Sequence, residues 1–404
     1  MEIELLLALI FTALVLGWLL GFFAKAKKRQ KKQAYHPARN VKHRLQLFFD
    51  SYSDESIDQF VHSLEVSPET FGTHISIGKH FRTQGEVEKA ILIHQNLMAH
   101  PELPDAASQS VIYELAKDYK KAGLLDRAEA LLQQLSASKE FSFKSVKLLL
   151  DVYEQEKDWE NAVSKGLELD LKKHPIIALR IAQYCCEIAE NEANNGQYLE
   201  VQHYYKQALS INKACVRALI GLARLDIEKK AFAEALDGLK KVAIFSPENI
   251  TIILPQLLEC AVATNTFEQH IVYLEKLFKD TGQVSIMLAI VESLLAQDEK
   301  AKAFAYLEQQ LKIRPSLAGL DLMLKKSVSG DFGEHVFLTL TQQEETSSTE
   351  SFMAVVAKVL DEMTKDKPAF RCHKCGFSGA HHHWMCPTCK SWQTTYPIIE
   401  YDQS

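Results

Sequence analysis

The chain opens on a run of twenty residues without a charge, Leu5 to Ala24 (LLLALIFTALVLGWLLGFFA). At about 1.5 Å per residue, a helix of this length spans about 30 Å, the hydrocarbon thickness of a bilayer. A cleaved signal peptide needs a basic start and a shorter apolar run. Here Glu2 and Glu4 make the start acidic, and the positive charges follow the run. The pattern predicts an uncleaved transmembrane helix over 1–24. From Tyr35 to Pro315 the apolar positions come instead in clusters at helical spacing, broken at near-regular intervals. Beyond Pro315, Leu317 to Lys326 reads as one more helix and SVSGDFGE ends it. Thr341 to Glu350 is polar and predicts a surface linker. Phe352, Val355, Val356, Val359, Leu360 and Met363 then follow the spacing of an amphipathic helix. Such a helix would dock on the last repeats, on the small domain after it, or on both.

The intervals in the body are those of a helical repeat. The small residue of each second helix serves as a marker: Ser56, Ala90, Ala128, Ala162, Val201, Ala235, His270 and Ala303, at separations of 34, 38, 34, 39, 34, 35 and 33. Around them, Ile77, Gly78, Phe81 and Gly85 precede Ala90, and Leu115, Ala116, Tyr119 and Gly123 precede Ala128. Leu149, Leu150 and Tyr153 precede Ala162, with Trp159 just ahead of that second helix. Pro68, Pro247 and Pro315 fall about twelve residues after their markers, where a helix should stop. This pattern resembles the tetratricopeptide superfamily, whose units of about 34 residues each form a helix pair. One pair cannot bury its apolar face, whereas a stack can. The resemblance implies an α-solenoid over 35–316 of about eight units, the first (around Ser56) degenerate. Its concave face would hold a peptide or another protein.

Composition and charge add a compartment. Of 404 residues, 47% are hydrophobic and 24% charged, which excludes a mainly disordered chain; 16 Gly and 11 Pro favour helices over a turn-dense β-sandwich. The net charge of −6 is uneven. Lys25, Lys27, Lys28, Arg29, Lys31 and Lys32 put six positive charges into one short stretch, leaving −12 on the remainder. Lysine and arginine beside a span stay cytoplasmic, so everything after Lys25 is expected on that side. The basic juxtamembrane segment, 25–34, either contacts anionic lipid headgroups or only fixes topology. An acidic body with one basic stripe is a poor general binder of nucleic acid. Gly17 and Gly21 form a GxxxG spacing in the span, compatible with a homodimer.

The eight cysteines fall into two groups. Cys185, Cys186, Cys215 and Cys260 lie in repeat helices without metal spacing and read as buried small hydrophobes in a reducing compartment. The other four, Cys372-x-x-Cys375-Gly and Cys386-Pro-Thr-Cys389, form two C-x-x-C turns separated by ten residues. Such turns aim their sulfurs at one point, and four thiolates make a closed tetrahedral set for zinc or iron. Every position is filled by protein, so the site is structural rather than catalytic. Gly376 permits the positive φ such a turn needs. A domain of about thirty-five residues has too little core to fold alone, so its ion supplies most of its stability. Phe370, Phe377, Trp384 and Trp392 are expected as the apolar shell of that ion. His381, His382 and His383 cannot all reach one ion from a strand, whose side chains alternate, and read as a solvated strand or tip. A P-loop, a dinucleotide turn, H-E-x-x-H and G-x-S-x-G are all missing from the sequence. No catalytic residue is assigned, and no enzyme is expected.

One span, a basic stripe, helical repeats and a terminal C-x-x-C-G…C-P-x-C knuckle, in that order, resemble the lipopolysaccharide assembly protein B family of Gram-negative inner membranes. The resemblance covers essentially the whole chain and is closest at GEVEKAILIHQNL around Ala90 and at FRCHKCGF…WMCPTCKSW. It implies a rubredoxin-type domain packed against the repeats, with Cys372, Cys375, Cys386 and Cys389 as ligands of one iron or zinc ion. It also implies a non-enzymatic adaptor for the membrane protease FtsH, promoting turnover of the deacetylase LpxC that commits material to lipid A, with lipopolysaccharide or anionic lipid as a further candidate ligand. The expected fold class is therefore all-α: an N-terminal transmembrane helix (1–24), the basic segment (25–34), a tetratricopeptide-type α-solenoid (35–316), a helical extension and linker (317–366), and a small rubredoxin-like or zinc-ribbon metal knuckle (367–404). Two rivals use the knuckle differently. One is a membrane-tethered iron carrier working as rubredoxin does. The other is a zinc ribbon binding nucleic acid through Lys367, Arg371, Lys374 and Lys390.

Overall fold

The computed structural model describes residues 70–332 and 368–398, together with Ser67 and excepting residues 102, 104 and 139. The expected span at 1–24, the basic segment at 25–34, the repeat around Ser56, the linker at 341–350 and the amphipathic helix at 352–363 lie outside the described residues. Among the described residues, no helix is long and apolar enough to cross a membrane.

The body is built as helix pairs. They are α1 (Phe71–Gln84) with α2 (Val87–Met98), α3 (Asp105–Ala122) with α4 (Leu125–Ser136), and α5 (Ser142–Glu156) with α6 (Trp159–Leu167). Then come α7 (Pro175–Asn194) with α8 (Tyr198–Ile211), α9 (Val216–Glu228) with α10 (Phe232–Phe245), α11 (Ile250–Ala263) with α12 (Phe267–Thr281), and α13 (Val284–Ala296) with α14 (Lys300–Ile313); α15 (Leu317–Val328) follows. Every marker within the described residues falls in the second helix of its pair. Ala90, Ala128, Ala162, Ala235 and Ala303 have no exposed surface, and Val201 and His270 are buried in the same slot. Pro247 and Pro315 stand just after α10 and α14, as expected of helix stops.

A second regularity lies five residues before each marker. Gly85, Gly123, Lys157, Gly196, Lys230, Asn265 and Asp298 all have positive φ, between 54° and 93°. The next residue's N–H then donates to the carbonyl five positions back: Glu86 to Phe81 at 3.0 Å, Asp158 to Tyr153 at 2.9 Å, Glu299 to Leu294 at 3.0 Å. This left-handed closure satisfies carbonyls that the helix end leaves open. It also reverses the chain at once into the second helix.

The chain divides into two compact units, the first ending at Val152 and the second beginning at Tyr153. In the first, Ile77, Phe81, Leu97, Leu115, Tyr119 and Leu132 are buried. Gly78 has no room for a side chain, since a Cβ there would lie 2.5 Å from the His94 ring. Arg82 links α1 to α3: Nη1 donates to Asp118 Oδ1 (2.7 Å) and Nη2 to Glu114 Oε2 (2.6 Å). Asp118 also holds Nδ1 of the buried His94.

In the second unit, α9 to α14 share an apolar cluster extending to Phe332, which meets Phe304 edge-on at 5.5 Å. The Ser316 hydroxyl caps α15 by accepting from Gly319 N–H (3.1 Å). That helix reaches Val328, two residues beyond the expected end. The terminal domain is a small antiparallel sheet of β1 (Phe370–Cys372), β2 (Ser378–Gly379) and β3 (Thr395–Pro397) in the order β2-β1-β3. Phe370 lies opposite Gly379 on one side and Pro397 on the other. Apart from this sheet, the described regular structure is helical.

Candidate metal centre

The two cysteine knuckles are built alike. Cys372 N–H donates to Phe377 O (2.7 Å) and Gly376 N–H returns to Cys372 O (2.9 Å); Cys386 N–H donates to Ser391 O and Lys390 N–H to Cys386 O, both at 2.9 Å. The residue after each second cysteine is left-handed, Gly376 at φ 78° and Lys390 at φ 53°. Glycine does this without strain, whereas lysine crowds its Cβ against the following carbonyl. β1 delivers Cys372 to the first knuckle, and a bridge between Met385 and Trp392 closes the second.

The four Sγ atoms lie within 4.8 Å of one another, with Cys372 and Cys389 at 3.8 Å and Cys375 and Cys386 at 3.6 Å. A tetrahedral ion with metal–sulfur bonds of about 2.3 Å requires sulfur–sulfur edges of about 3.8 Å. The four cysteines are thus positioned to bind one metal ion, and an all-thiolate set suits zinc or iron. Burial works against ionisation of Cys372. The Thr394 hydroxyl 3.3 Å away and the N–H groups of Cys375 and Lys374 outweigh it and bring the thiol down to about 6. The Ser391 hydroxyl lowers Cys389 likewise. At the exposed Cys375, the Phe377 N–H favours the thiolate, but desolvation and the neighbouring thiols prevail and raise it to about 11.

Two of the four aromatics expected around the ion instead anchor the domain on the repeats. Trp392 Nε1 donates to Glu154 Oε2 (3.1 Å), and its ring stands edge-on to Trp159 (6.3 Å) and Tyr184 (6.0 Å), which stack on each other at 5.4 Å. The same Glu154 oxygen accepts from Tyr184 Oη (2.6 Å) and Arg180 Nη2 (3.0 Å). Trp384 packs on the apolar cluster of α9 to α14. Phe370, with Val284, Leu288, Ala318 and Ile398, lines a groove of about 260 Å³. The physical reason is that a three-stranded sheet this small has no second layer, so its large apolar side chains bury against another element.

The histidines match the expected solvated strand or tip only in part. They form no strand, and only His381 is exposed. His382 lies between Phe370 (5.5 Å) and Trp384 (4.5 Å), and burial pushes it down to about 4 against a bond to the Thr395 backbone. None of the three joins the four-sulfur group. Among the remaining cysteines, all buried, Cys185, Cys186 and Cys260 are helical as expected, but Cys215 is the N-cap of α9 rather than part of it. Glu154, Arg180 and Tyr184, which receive Trp392, carry no mark in the sequence. A glutamate on a helix reads as solvated, and the one available signal was Trp159, conspicuous before its helix.

A family model described as a rubredoxin metal binding domain matches residues 370–396. The chain is 26% identical to lipopolysaccharide assembly protein B of Escherichia coli K12 over 396 residues, covering 98% of each chain. It is equally 26% identical to the protein of that name from Haemophilus influenzae over 404 residues, again 98% of each. Among solved structures, a tetratricopeptide repeat protein from Parabacteroides merdae aligns with a TM-score of 0.32 and 15% identity, over 63% of this chain and 98% of that one. The resemblance to the lipopolysaccharide assembly protein B family drawn from the sequence thus holds along the whole chain.

Proposed function

We propose that this chain is a non-enzymatic adaptor of the inner membrane that regulates lipopolysaccharide biosynthesis by bringing the deacetylase LpxC to the membrane protease FtsH. Residues 1–24 are its span, 25–34 the basic segment at the cytoplasmic surface, 35–316 the repeat array, 317–366 an extension, and 367–404 the metal domain. The observation that carries this reading is similarity to lipopolysaccharide assembly protein B over 98% of both chains, together with a helix-pair body whose architecture suits holding another protein.

Cys372, Cys375, Cys386 and Cys389 are the proposed ligands. When bound, the ion supplies a cross-link between the two knuckles and no reaction. The chain's own residues do the rest: Trp392 and Trp384 seat the domain on the repeats, and the Glu154 carboxylate accepts the Trp392 indole N–H. Tethering replaces free diffusion of a client with a high effective concentration beside the protease.

The test is deletion of 1–24 with the repeats intact, followed by measurement of LpxC half-life and lipopolysaccharide content. The half-life is expected to lengthen. An unchanged half-life with a normally folded, soluble variant sinks the tethering mechanism.

A further inference from the structure

We infer that Cys186 and Cys215 form a reversible disulfide inside the repeat array when the protein meets hydrogen peroxide, a modification site separate from the metal centre. Their sulfurs are in contact at 3.7 Å across 29 residues of chain, and neither residue has exposed surface. Cys186 belongs to α7, whereas Cys215 caps α9. Gln183 Nε2 donates to the Cys215 sulfur (3.4 Å). Arg217, two residues after Cys215 in the first turn of α9, is held by Glu190 through Nε (2.7 Å) and Nη2 (2.6 Å) and by Glu187 through Nη1 (2.7 Å).

The two thiols have complementary surroundings. A hydrogen bond from Cys186 lowers Cys215 below its ordinary value; burial opposes this, and the N–H groups of Ala218 and Arg217 and the guanidinium charge assist it. A helix N-terminus and a nearby arginine both favour the thiolate form of a cysteine. Burial pushes Cys186 well up, so it keeps its proton. Burial also raises Cys185 to about 12 and Cys260 to about 11. Cys215 is therefore the attacking sulfur and Cys186 the resolving one.

In the first step the Cys215 thiolate attacks a peroxide oxygen. An S–O bond forms, the O–O bond breaks, hydroxide leaves, and the sulfur is oxidised by two electrons to a sulfenic acid. In the second step Cys186 sulfur attacks that sulfur. The S–S bond forms, the S–O bond breaks, and the departing hydroxide takes the Cys186 proton as water. The proton released when Cys215 ionised converts the first hydroxide to water. Two thiols and one peroxide thus give one disulfide and two waters. Ala214 and Val216, on either side of Cys215, line a cleft of about 540 Å³ that Gln393 and Tyr396 of the metal domain also line. The bridge would tie α7 to α9 beneath that cleft.

The experiment treats the metal-loaded full chain in mild detergent with graded hydrogen peroxide, alkylates the remaining thiols and maps the peptides by mass spectrometry. The expected product joins the Cys186 and Cys215 peptides with loss of two hydrogens. It is reversed by dithiothreitol, absent from Cys215→Ala and Cys186→Ala, and unaffected by Cys185→Ala. Mapping of the unsubstituted protein decides the matter even where an alanine variant melts early. The inference is overturned if Cys186 and Cys215 remain alkylatable at a peroxide dose that already oxidises Cys375, or if Cys185 and Cys186 pair with each other instead.

Discussion

Gly78 and the His94 ring meet where a single added carbon would collide. A Cβ at Gly78 would stand 2.5 Å from two ring atoms, and the ring cannot swing aside because Asp118 holds its Nδ1. Gly78→Ala is expected to cost about 1–3 kcal/mol in a denaturant titration, the ordinary cost of overpacking. The reverse sign is expected at Lys230, exposed and left-handed at φ 62°. Lys230→Gly should raise stability by about 0.5–1 kcal/mol, because relief of the strained φ exceeds glycine's added chain entropy. Lys230→Ala, which keeps the strain, is the control that should show no gain. His270 fills a slot that alanine fills in its neighbours, and burial first, then the charge of Lys240, pushes it down to about 4. Its folded-state value lies below the unfolded one, so the folded state resists a proton that the unfolded chain accepts. Its contribution is full above about pH 6.5 and falls as pH drops towards 4, by up to about 1.4 kcal/mol per pH unit. His270→Ala should flatten the stability profile in that window, as read by melting temperature against pH.

At the scale of elements, the terminal domain is seated through Trp392 on side chains from three helices, α5, α6 and α7. Trp392→Ala removes the ring seated against Trp159 and Tyr184 and leaves three Glu154 contacts reduced to two. A loss of about 3 kcal/mol from docking is expected, as for large-to-small changes in a core. It should appear as faster protease release of the terminal domain with the helical signal unchanged. Much of this scale was legible beforehand. The markers from Ala90 to Ala303 located seven second helices among the described residues, because a close helix crossing favours a small side chain, here alanine in five of the seven, and so writes itself into the residue spacing. Lys157, Lys230, Asn265 and Asp298 were not legible as turn positions. Glycine is the usual sign of a left-handed residue, and the closing hydrogen bond that compensates its absence is made by backbone atoms that no side chain announces.

For the whole molecule, the terminal domain is expected to depend on the one ion that its four cysteines are positioned to bind. Chelation is expected to remove one ion per chain, to expose the C-terminal domain to protease, and to leave the helical circular dichroism nearly intact, since the repeats have their own core. Retention of a protease-resistant terminal domain after Cys372, Cys375, Cys386 and Cys389 are all changed to serine would show that docking, not metal, holds it.

Spacing along the chain was enough to determine the helix pairs and the four-sulfur site, because both depend on residues close in sequence: 3.6-residue periodicity in one case, two short turns in the other. What only the tertiary structure decided joins distant residues. Trp392 turned from shell to anchor because Glu154 lies 238 positions earlier. His382 went between Phe370 and Trp384 rather than into solvent, and Cys186 met Cys215 at a helix cap. Each outcome depends on which surface is left uncovered once the helices have stacked, and that is a property of packing that no local pattern encodes.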